Sequence, residues 1–350
     1  MKVYYYHTSD IQTILRGWRR GEFPGHFLYG ATHLERHGIG VVWHKFRFFP
    51  HRWQQTLWAT WRILTCREHF DAIYATTFRG LELVIFLRAL GLYHRHIFVW
   101  HHQPIVKAKS KAREMVARVF YRGIDHMFFF SDKLIQDSLK SVKAQRERMS
   151  VARWGADLDY YDRLMKENNV TRSGFISTGK ENRDMPTLVL AFNATGAQLD
   201  IYVCRGYGGI GYERMFSEMK VKPNISLHFI EGLAQADMSL KVNASACVVI
   251  CCKETNYTVG LTTVVEALAL GVPMICSRNP QMPVNIDQVG CGIAVDYYDE
   301  QGWERAITYI ATHPDEAREM GRRGRKYAEE VLNLDNCAKD VSEALGFFNS

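Results

Sequence analysis

The stretch that most restricts what this chain can fold into runs from Ala246 to Ser277. The apolar, β-prone run Ala246-Cys-Val-Val-Ile-Cys-Cys252 reads as a buried strand. Asn256-Tyr-Thr-Val-Gly260 then reads as a glycine-centred turn, followed by a helix from about Thr262 that stops at Gly271. Met274-Ile-Cys-Ser277 is the next strand. A helix that starts at a strand end suits a phosphate, because its first N–H groups are unpaired and its dipole favours an anion. Glu266 lies within the first helical turns, in reach of the hydroxyls of a sugar beside that phosphate. A second role fits the same residues, since Thr263-x-x-Glu266 matches a capping box. Locally the two roles stand about level.

A chain of 350 residues is long enough for about two domains. With 47% hydrophobic and 23% charged residues it belongs with globular rather than disordered sequences. No apolar run nears the ~20 residues that span a bilayer, and Met1-Lys-Val-Tyr-Tyr-Tyr-His7 reads as a short strand rather than a signal peptide. The eight cysteines form no CxxC pair, so we expect no metal site and the reduced thiols of a cytoplasmic protein. The net charge of +7 hides an asymmetry: residues 1–150 carry 24 Lys and Arg against 11 Asp and Glu, whereas residues 151–350 carry 20 against 26. A basic first half points to an anionic partner, such as phospholipid, nucleic acid or a phosphorylated acceptor.

Along the chain, the polar stretch Asp10–Arg20 leads into Gly21-Glu-Phe-Pro-Gly25-His26, and a helix is expected over Phe27–His37, closed by Gly38. Trp53, Leu57, Trp58, Trp61 and Leu64 recur at helical spacing, a stripe that we expect to pack in the core. Strand Ile97–Trp100 ends in His101-His102, and a basic amphipathic helix follows from Lys107 to Arg122. The polar stretch Lys166–Ser173 reads as the interdomain linker. Beyond it strands and helices alternate, which implies a parallel sheet.

Two further motifs carry chemistry. Gly179-Lys180-Glu181-Asn182-Arg183-Asp184 follows a strand, and its two cations suit a diphosphate, Arg183 as a fork and Lys180 as a point charge. Solvated loop cations would look the same. Gly206-Tyr-Gly208-Gly-Ile-Gly211 is a literal GxGxxG, with Glu231 about 20 residues on, as in a dinucleotide fingerprint. It follows the second strand of its domain, and Pro223 breaks the segment after it, so an ordinary glycine turn is the better reading.

Taken in order, Gly179–Leu188, Leu199–Gly208, Ile225–Gly232 and Gly260–Pro273 resemble the donor-binding half of the retaining GT-B glycosyltransferases of family 4, the glycosyl transferases group 1. The first half is similar only loosely, through Gly21–His26, His101/His102 and Arg153–Asp157. The resemblance implies an α/β GT-B fold of two Rossmann-like domains facing a cleft: an acceptor domain over 1–165, to which a helix at about 333–350 returns, and a donor domain over 173–332. It implies transfer of a sugar, with retention and without a metal or other cofactor, from a nucleotide-diphosphate sugar to a glycan or lipid-linked acceptor. Surface polysaccharide or glycolipid synthesis is the expected setting. A cytoplasmic chain would then dock on the inner face of the plasma membrane through its basic half, and no nucleic acid partner is expected.

By the same resemblance, Glu266 would bind the ribose. Gly179, Lys180 and Arg183 would hold the diphosphate, and Gly260, Leu261, Thr262 and Thr263 would contact sugar or phosphate. Gly206, Ile230 and Glu231 would line the nucleotide, while Gly25 and His26 would form an acceptor or phosphate loop. His101 or His102 would face the reacting sugar. Where the family often has a second glutamate, eight residues before the ribose one, this chain has Thr258, which leaves the donor sugar unassigned. Two other readings stand beside this one: an NAD(P)-dependent oxidoreductase using the Gly206–Gly211 turn, and a nucleotide-sugar-binding protein without turnover.

Overall fold

The computed structural model describes residues 1–168, 170–179, 181–231 and 235–347. The chain divides into two compact units, Met1–Trp154 with Leu334–Ser350, and Gly155–Asn333.

Unit 1 runs β1 (Lys2–Tyr6), α1 (Ile11–Arg20), β2 (Gly40–Trp43), α2 (Arg52–Leu64), β3 (Ala72–Ala75), α3 (Glu82–Ala89), β4 (His96–Trp100), α4 (Lys111–Arg122), β5 (His126–Phe129), α5 (Asp132–Leu139) and β6 (Met149–Val151). Its strands pair in parallel, in the order β2-β1-β3-β4-β5-β6. The central strands are buried on both faces, which is why Ile97-Phe-Val-Trp100 reads as an unbroken apolar run. Two of the buried aromatic residues pair their polar ends in a chain: Trp100 Nε1 donates to Tyr74 Oη (2.7 Å), and Tyr74 donates to the carbonyl of Tyr29 (2.5 Å).

Two expectations for unit 1 fail, and the polar stretch Asp10–Arg20 turns out to be helical. Asp10 accepts from the N–H groups of Gln12 and Thr13 (3.1 and 3.2 Å) and caps α1, which buries Ile11 and Leu15. Phe27–His37 is not one helix but two 3₁₀ turns, Gly25–Leu28 and Leu34–His37, separated where Tyr29 takes a left-handed φ of 51° and offers its carbonyl to Tyr74. The stripe on α2 is not core. Ala59, Thr60 and Ile63 are buried, whereas Trp53 and Trp61 remain 62% and 52% exposed. The small side chains form the packed face here, and the aromatic ones project from another.

Unit 2 runs α6 (Leu158–Glu167), β7 (Ser173–Ser177), α7 (Met185–Thr195), β8 (Leu199–Val203), a hairpin of β9 (Gly206–Tyr207) and β10 (Ile210–Gly211), α8 (Tyr212–Ser217), β11 (Ile225–Phe229), α9 (Gln235–Asn243), β12 (Ser245–Ile250), α10 (Leu261–Leu270), β13 (Met274–Ser277), α11 (Ile286–Val289), β14 (Gly292–Val295), α12 (Glu300–Thr312) and α13 (Pro314–Glu330). The six-stranded sheet is parallel, in the order β11-β8-β7-β12-β13-β14. Successive strands step outward from β7 one way and from β12 the other, so the direction of winding reverses between these two. The division falls at Trp154, earlier than the expected 165, because α6 buries Tyr160 and Tyr161 within unit 2. The polar stretch 166–173, expected as a linker, lies inside that unit. The last helix, α14 (Leu334–Gly346), belongs to unit 1, where Asp340 accepts from Arg153 N (2.9 Å) and Nε (2.8 Å).

The C-terminal end of α10 is held by cations. Arg172 donates to the carbonyls of Leu270 (2.6 Å), Gly271 (2.5 Å) and Asn243 (3.1 Å), and Arg325 Nη1 donates to Ala269 O (2.7 Å). A positive charge at this end agrees with the helix dipole. Arg172→Ala strips these part-buried carbonyls of their donor and is expected to lower unfolding free energy by about 2–3 kcal/mol. Urea denaturation measures it, and an unchanged midpoint would show the contact to be dispensable.

Candidate functional site

The winding of unit 2 reverses between β7 and β12, and open parallel sheets bind ligands at the carboxyl ends of strands at such a point. The loops leaving these two strands are joined by backbone: Arg183 bridges Cys252, Asp184 N donates to Cys251 O (3.0 Å), and Lys253 N donates to Asn182 O (2.8 Å). Tyr257 adds a side-chain tie, accepting from Asn182 Nδ2 (2.6 Å) and donating to Glu181 (2.8 Å).

Arg183 occupies the middle of this junction and is only 4% exposed. Its Nε donates to Thr178 O (3.1 Å), Nη1 to Glu181 O (3.3 Å) and Cys252 Sγ (3.1 Å), and Nη2 to Thr263 Oγ1 (3.4 Å). All four acceptors are neutral, and among the described residues no carboxylate pairs with the guanidinium. Gly179 makes room for it, and Gly260 makes room for Ile250 beside it. A Cβ on Gly179 would lie 2.3 Å from Arg183 Nη2, and one on Gly260 would lie 2.7 Å from Ile250 Cγ2 and 3.6 Å from Arg183 Nη1. Both glycines also hold left-handed φ angles, +95° and +85°, that other residues rarely adopt. Lys180, the other expected cation, lies outside the described residues.

Gly260 is the N-cap of α10 and supplies no side chain to it. The first helical bond is Val264 N to Gly260 O (3.0 Å), so the N–H groups of Leu261, Thr262 and Thr263 precede the ladder. The helix therefore starts before Thr262, and the capping-box reading of Thr263 and Glu266 fails: both are interior to the helix. They lie one turn apart on one face, Thr263 against Arg183 and Glu266 against Ser239. Glu266 is 4% exposed and accepts from Ser239 Oγ (2.5 Å) and Gln235 Nε2 (3.4 Å). Burial pushes its carboxyl up to about 7, against the pull of these two donors. Ser239 lies on α9, 27 residues upstream, and nothing in the local sequence marks it as a partner. Thr258, where the family often has glutamate, donates to Gln281 O (3.2 Å).

The GxGxxG stretch is no dinucleotide turn. Gly206–Gly211 folds into the antiparallel hairpin β9–β10, with Ile210 opposite Tyr207 and Gly211 opposite Gly206, and only the six-residue α8 follows. Glu231 pairs with Arg205 (3.3 Å), which also bonds Glu213. Ile230 continues β11 by donating its N–H to Val203 O (3.0 Å). The oxidoreductase reading loses its structural basis here.

In unit 1, the paired histidines after β4 differ. His101 is buried, with Nδ1 bonded to Gln103 O (2.5 Å) and Nε2 to Tyr121 Oη (2.8 Å), and burial lowers its pKa to about 4. Both nitrogens are committed to structure. His102 is exposed, its Nε2 bonded to Thr76 O (2.8 Å) and its ring beside Tyr29 and Phe130. His26 is buried in the turn that Gly25 opens, against Phe27 and Trp154, and burial holds its pKa near 3. Among the described residues no group of three His, Cys, Asp or Glu side chains is placed to hold a metal ion.

Glu266 gives the site a measurable pH dependence. Its folded pKa of about 7 lies above its ordinary value of 4.5, so its contribution to stability is complete below 4.5 and lost as pH rises through 7. Glu266→Gln removes this term. Relative to wild type, the variant is expected to gain up to about 3 kcal/mol between pH 4.5 and 7.5, read from urea unfolding across that range. A pH-independent difference would contradict the buried acid.

The glycosyl transferases group 1 family model matches residues 187–327. A D-inositol 3-phosphate glycosyltransferase of Saccharomonospora viridis is 25% identical over 134 residues, covering 38% of this chain and 31% of that protein. One of Corynebacterium kroppenstedtii is 26% identical over 137 residues, covering 37% and 29%. The matched part thus spans about a third of these curated relatives. Among solved structures, Anabaena HepE in complex with UDP-glucose superposes with a TM-score of 0.69 at 13% identity, over 99% of this chain and all of that one. The sucrose-phosphate synthase of Thermosynechococcus elongatus does so with 0.72 at 14% identity, over 100% and 99%. The chain therefore has the GT-B fold, and its residues 187–327 match the family model of the glycosyl transferases group 1.

Proposed function

We propose that this protein transfers a sugar, with retention, from a nucleotide-diphosphate sugar to a glycan or lipid-linked acceptor in surface polysaccharide or glycolipid synthesis. The observation that carries the reading is the Arg183 guanidinium, buried against the N-terminal end of α10 with neutral partners only. Two positive ends held together oppose each other, and a bound diphosphate relieves the opposition. The curated relatives are glycosyltransferases, and HepE was solved with UDP-glucose, which supports a nucleotide sugar as the ligand.

When the bond from the sugar to the diphosphate breaks, the electron pair stays on the phosphate oxygen. Arg183 and the leading N–H groups of α10 then face that growing negative charge, and Lys180 is assigned to the same charge by its place in the sequence motif. Such preorganised donors supply most of the catalysis in charge-separating steps, and no resident metal or cofactor is assigned. Glu266 accepts from the ribose hydroxyls, at the expense of its bonds to Ser239 and Gln235. Of the paired histidines, His102 is the one assigned to substrate, because it is exposed whereas His101 is buried. The protein works in the cytoplasm, at the inner face of the plasma membrane.

A thermal-shift screen separates this reading from its rivals. UDP, GDP or ADP is expected to raise the melting temperature, and NAD(P) is not; the reverse pattern would sink the proposal. Arg183→Ala is expected to abolish the rise at a saturating wild-type nucleotide concentration while disturbing the apo protein less than Arg172→Ala does. Incubation with a panel of nucleotide sugars should release the nucleoside diphosphate, with the sugar passing to water in place of the acceptor. Nucleotide binding without release from any sugar would leave a binding protein in place of an enzyme.

A further inference from the structure

We propose that the outer face of the α2–α3–α4 layer of unit 1 docks on an anionic phospholipid bilayer. The crossovers from β2 to β3, β3 to β4 and β4 to β5 all advance across the sheet in one direction, and right-handed connections then place α2, α3 and α4 on one face. α3 packs between the other two. Each helix keeps large apolar side chains in solvent: Trp53, Leu57, Trp61 and Leu64 on α2, Leu83 on α3, Met115 and Val116 on α4. Seven exposed large apolar side chains thus lie on three neighbouring helices of one unit, and such clustering marks an interaction surface.

Charge identifies the occupant. The α2 sequence RWQQTLWATWRIL contains no acidic residue, and the guanidinium groups of Arg47 and Arg62 lie over the Trp58 ring (5.4 and 5.9 Å). On α4 the single acid, Glu114, points inward to the buried Lys143 (2.7 Å), while Lys111, Arg113, Arg118 and Arg122 stay exposed. Beside α4 a cavity of about 180 Å³ is lined by Arg118, Arg122, Lys143, Arg148 and Tyr121. Among the described residues, neither Arg122 nor Arg148 pairs with a carboxylate, so the cavity suits a lipid phosphate. Tryptophans that place an apolar ring in the acyl boundary and an N–H among headgroups, next to cations, match an anionic membrane surface rather than a neutral protein partner. No helix among the described residues is long and apolar enough to cross a membrane, so this contact lies along the surface.

The inference gives the lipid-linked acceptor of the proposed function its location, but its test does not use the donor site. The full chain is floated with vesicles of phosphatidylcholine alone and with vesicles in which phosphatidylglycerol replaces part of it, at low and high salt, without nucleotide. Wild type is expected to float with the anionic vesicles at low salt only. Trp53→Ser with Trp61→Ser, and separately Lys111→Glu with Arg113→Glu, are each expected to weaken binding by more than about tenfold. The melting temperature without nucleotide serves as the folding control and should stay near the wild-type value in both variants. Absence of flotation at low salt, equal flotation with both vesicle types, or indifference to these substitutions overturns the proposal. So does a wild-type dimer that the tryptophan variant dissolves, since the face would then belong to a second copy of the chain.

Discussion

The site depends on one electrostatic opposition: the guanidinium of Arg183 is held against the positive end of α10. The fold enforces it by backbone, through the Arg183–Cys252 bridge and through Gly179, whose missing Cβ leaves the space for the guanidinium. Arg172, at the other end of the same helix, provides the contrast. It donates to the carbonyls of Leu270 and Gly271, where a cation belongs by the helix dipole. One arginine stabilises the helix whatever is bound. The other, with no carboxylate paired to it among the described residues, is the one the proposed function assigns to an anion.

A second unfavourable charge lies one turn further along α10. Glu266 is buried with two neutral donors, and its raised pKa expresses the cost of ionising it there. A buried cation and a reluctant anion stand on one helix face, spaced by Thr263. Under the proposed function, that face takes the two ends of a nucleoside diphosphate, the diphosphate at Arg183 and the ribose hydroxyls at Glu266. The unfavourable terms are local, and the parallel sheet and the Arg172 and Arg325 contacts offset them elsewhere in unit 2.

Much of this was legible in the sequence, because buried parallel strands are unbroken apolar runs and glycines mark the turns between strand and helix. Gly179, Arg183, Gly260 and Glu266 could be named from spacing and resemblance alone. What stayed hidden depends on tertiary neighbours. The capping-box pattern at Thr263 and Glu266 is real as a pattern, but α10 starts at Leu261, so it falls inside the helix. Ser239 becomes the partner of Glu266 only because α9 packs beside α10. The stripe on α2 has helical period, yet period does not say which face is covered, and Ala59 and Ile63 take the core while the tryptophans do not. The GxGxxG stretch likewise specifies a turn and leaves its type open; strand pairing makes it a hairpin.

The most direct test of the central claim is the ¹⁵N resonance of Arg183 Nε, assigned by comparison with Arg183→Lys and followed as UDP, GDP or ADP is added. The account predicts that the nucleotide that binds shifts and sharpens this signal while the Arg172 signal stays in place. Saturable nucleotide binding with the Arg183 resonance unmoved would contradict it, because the anion would then be held somewhere other than at the head of α10.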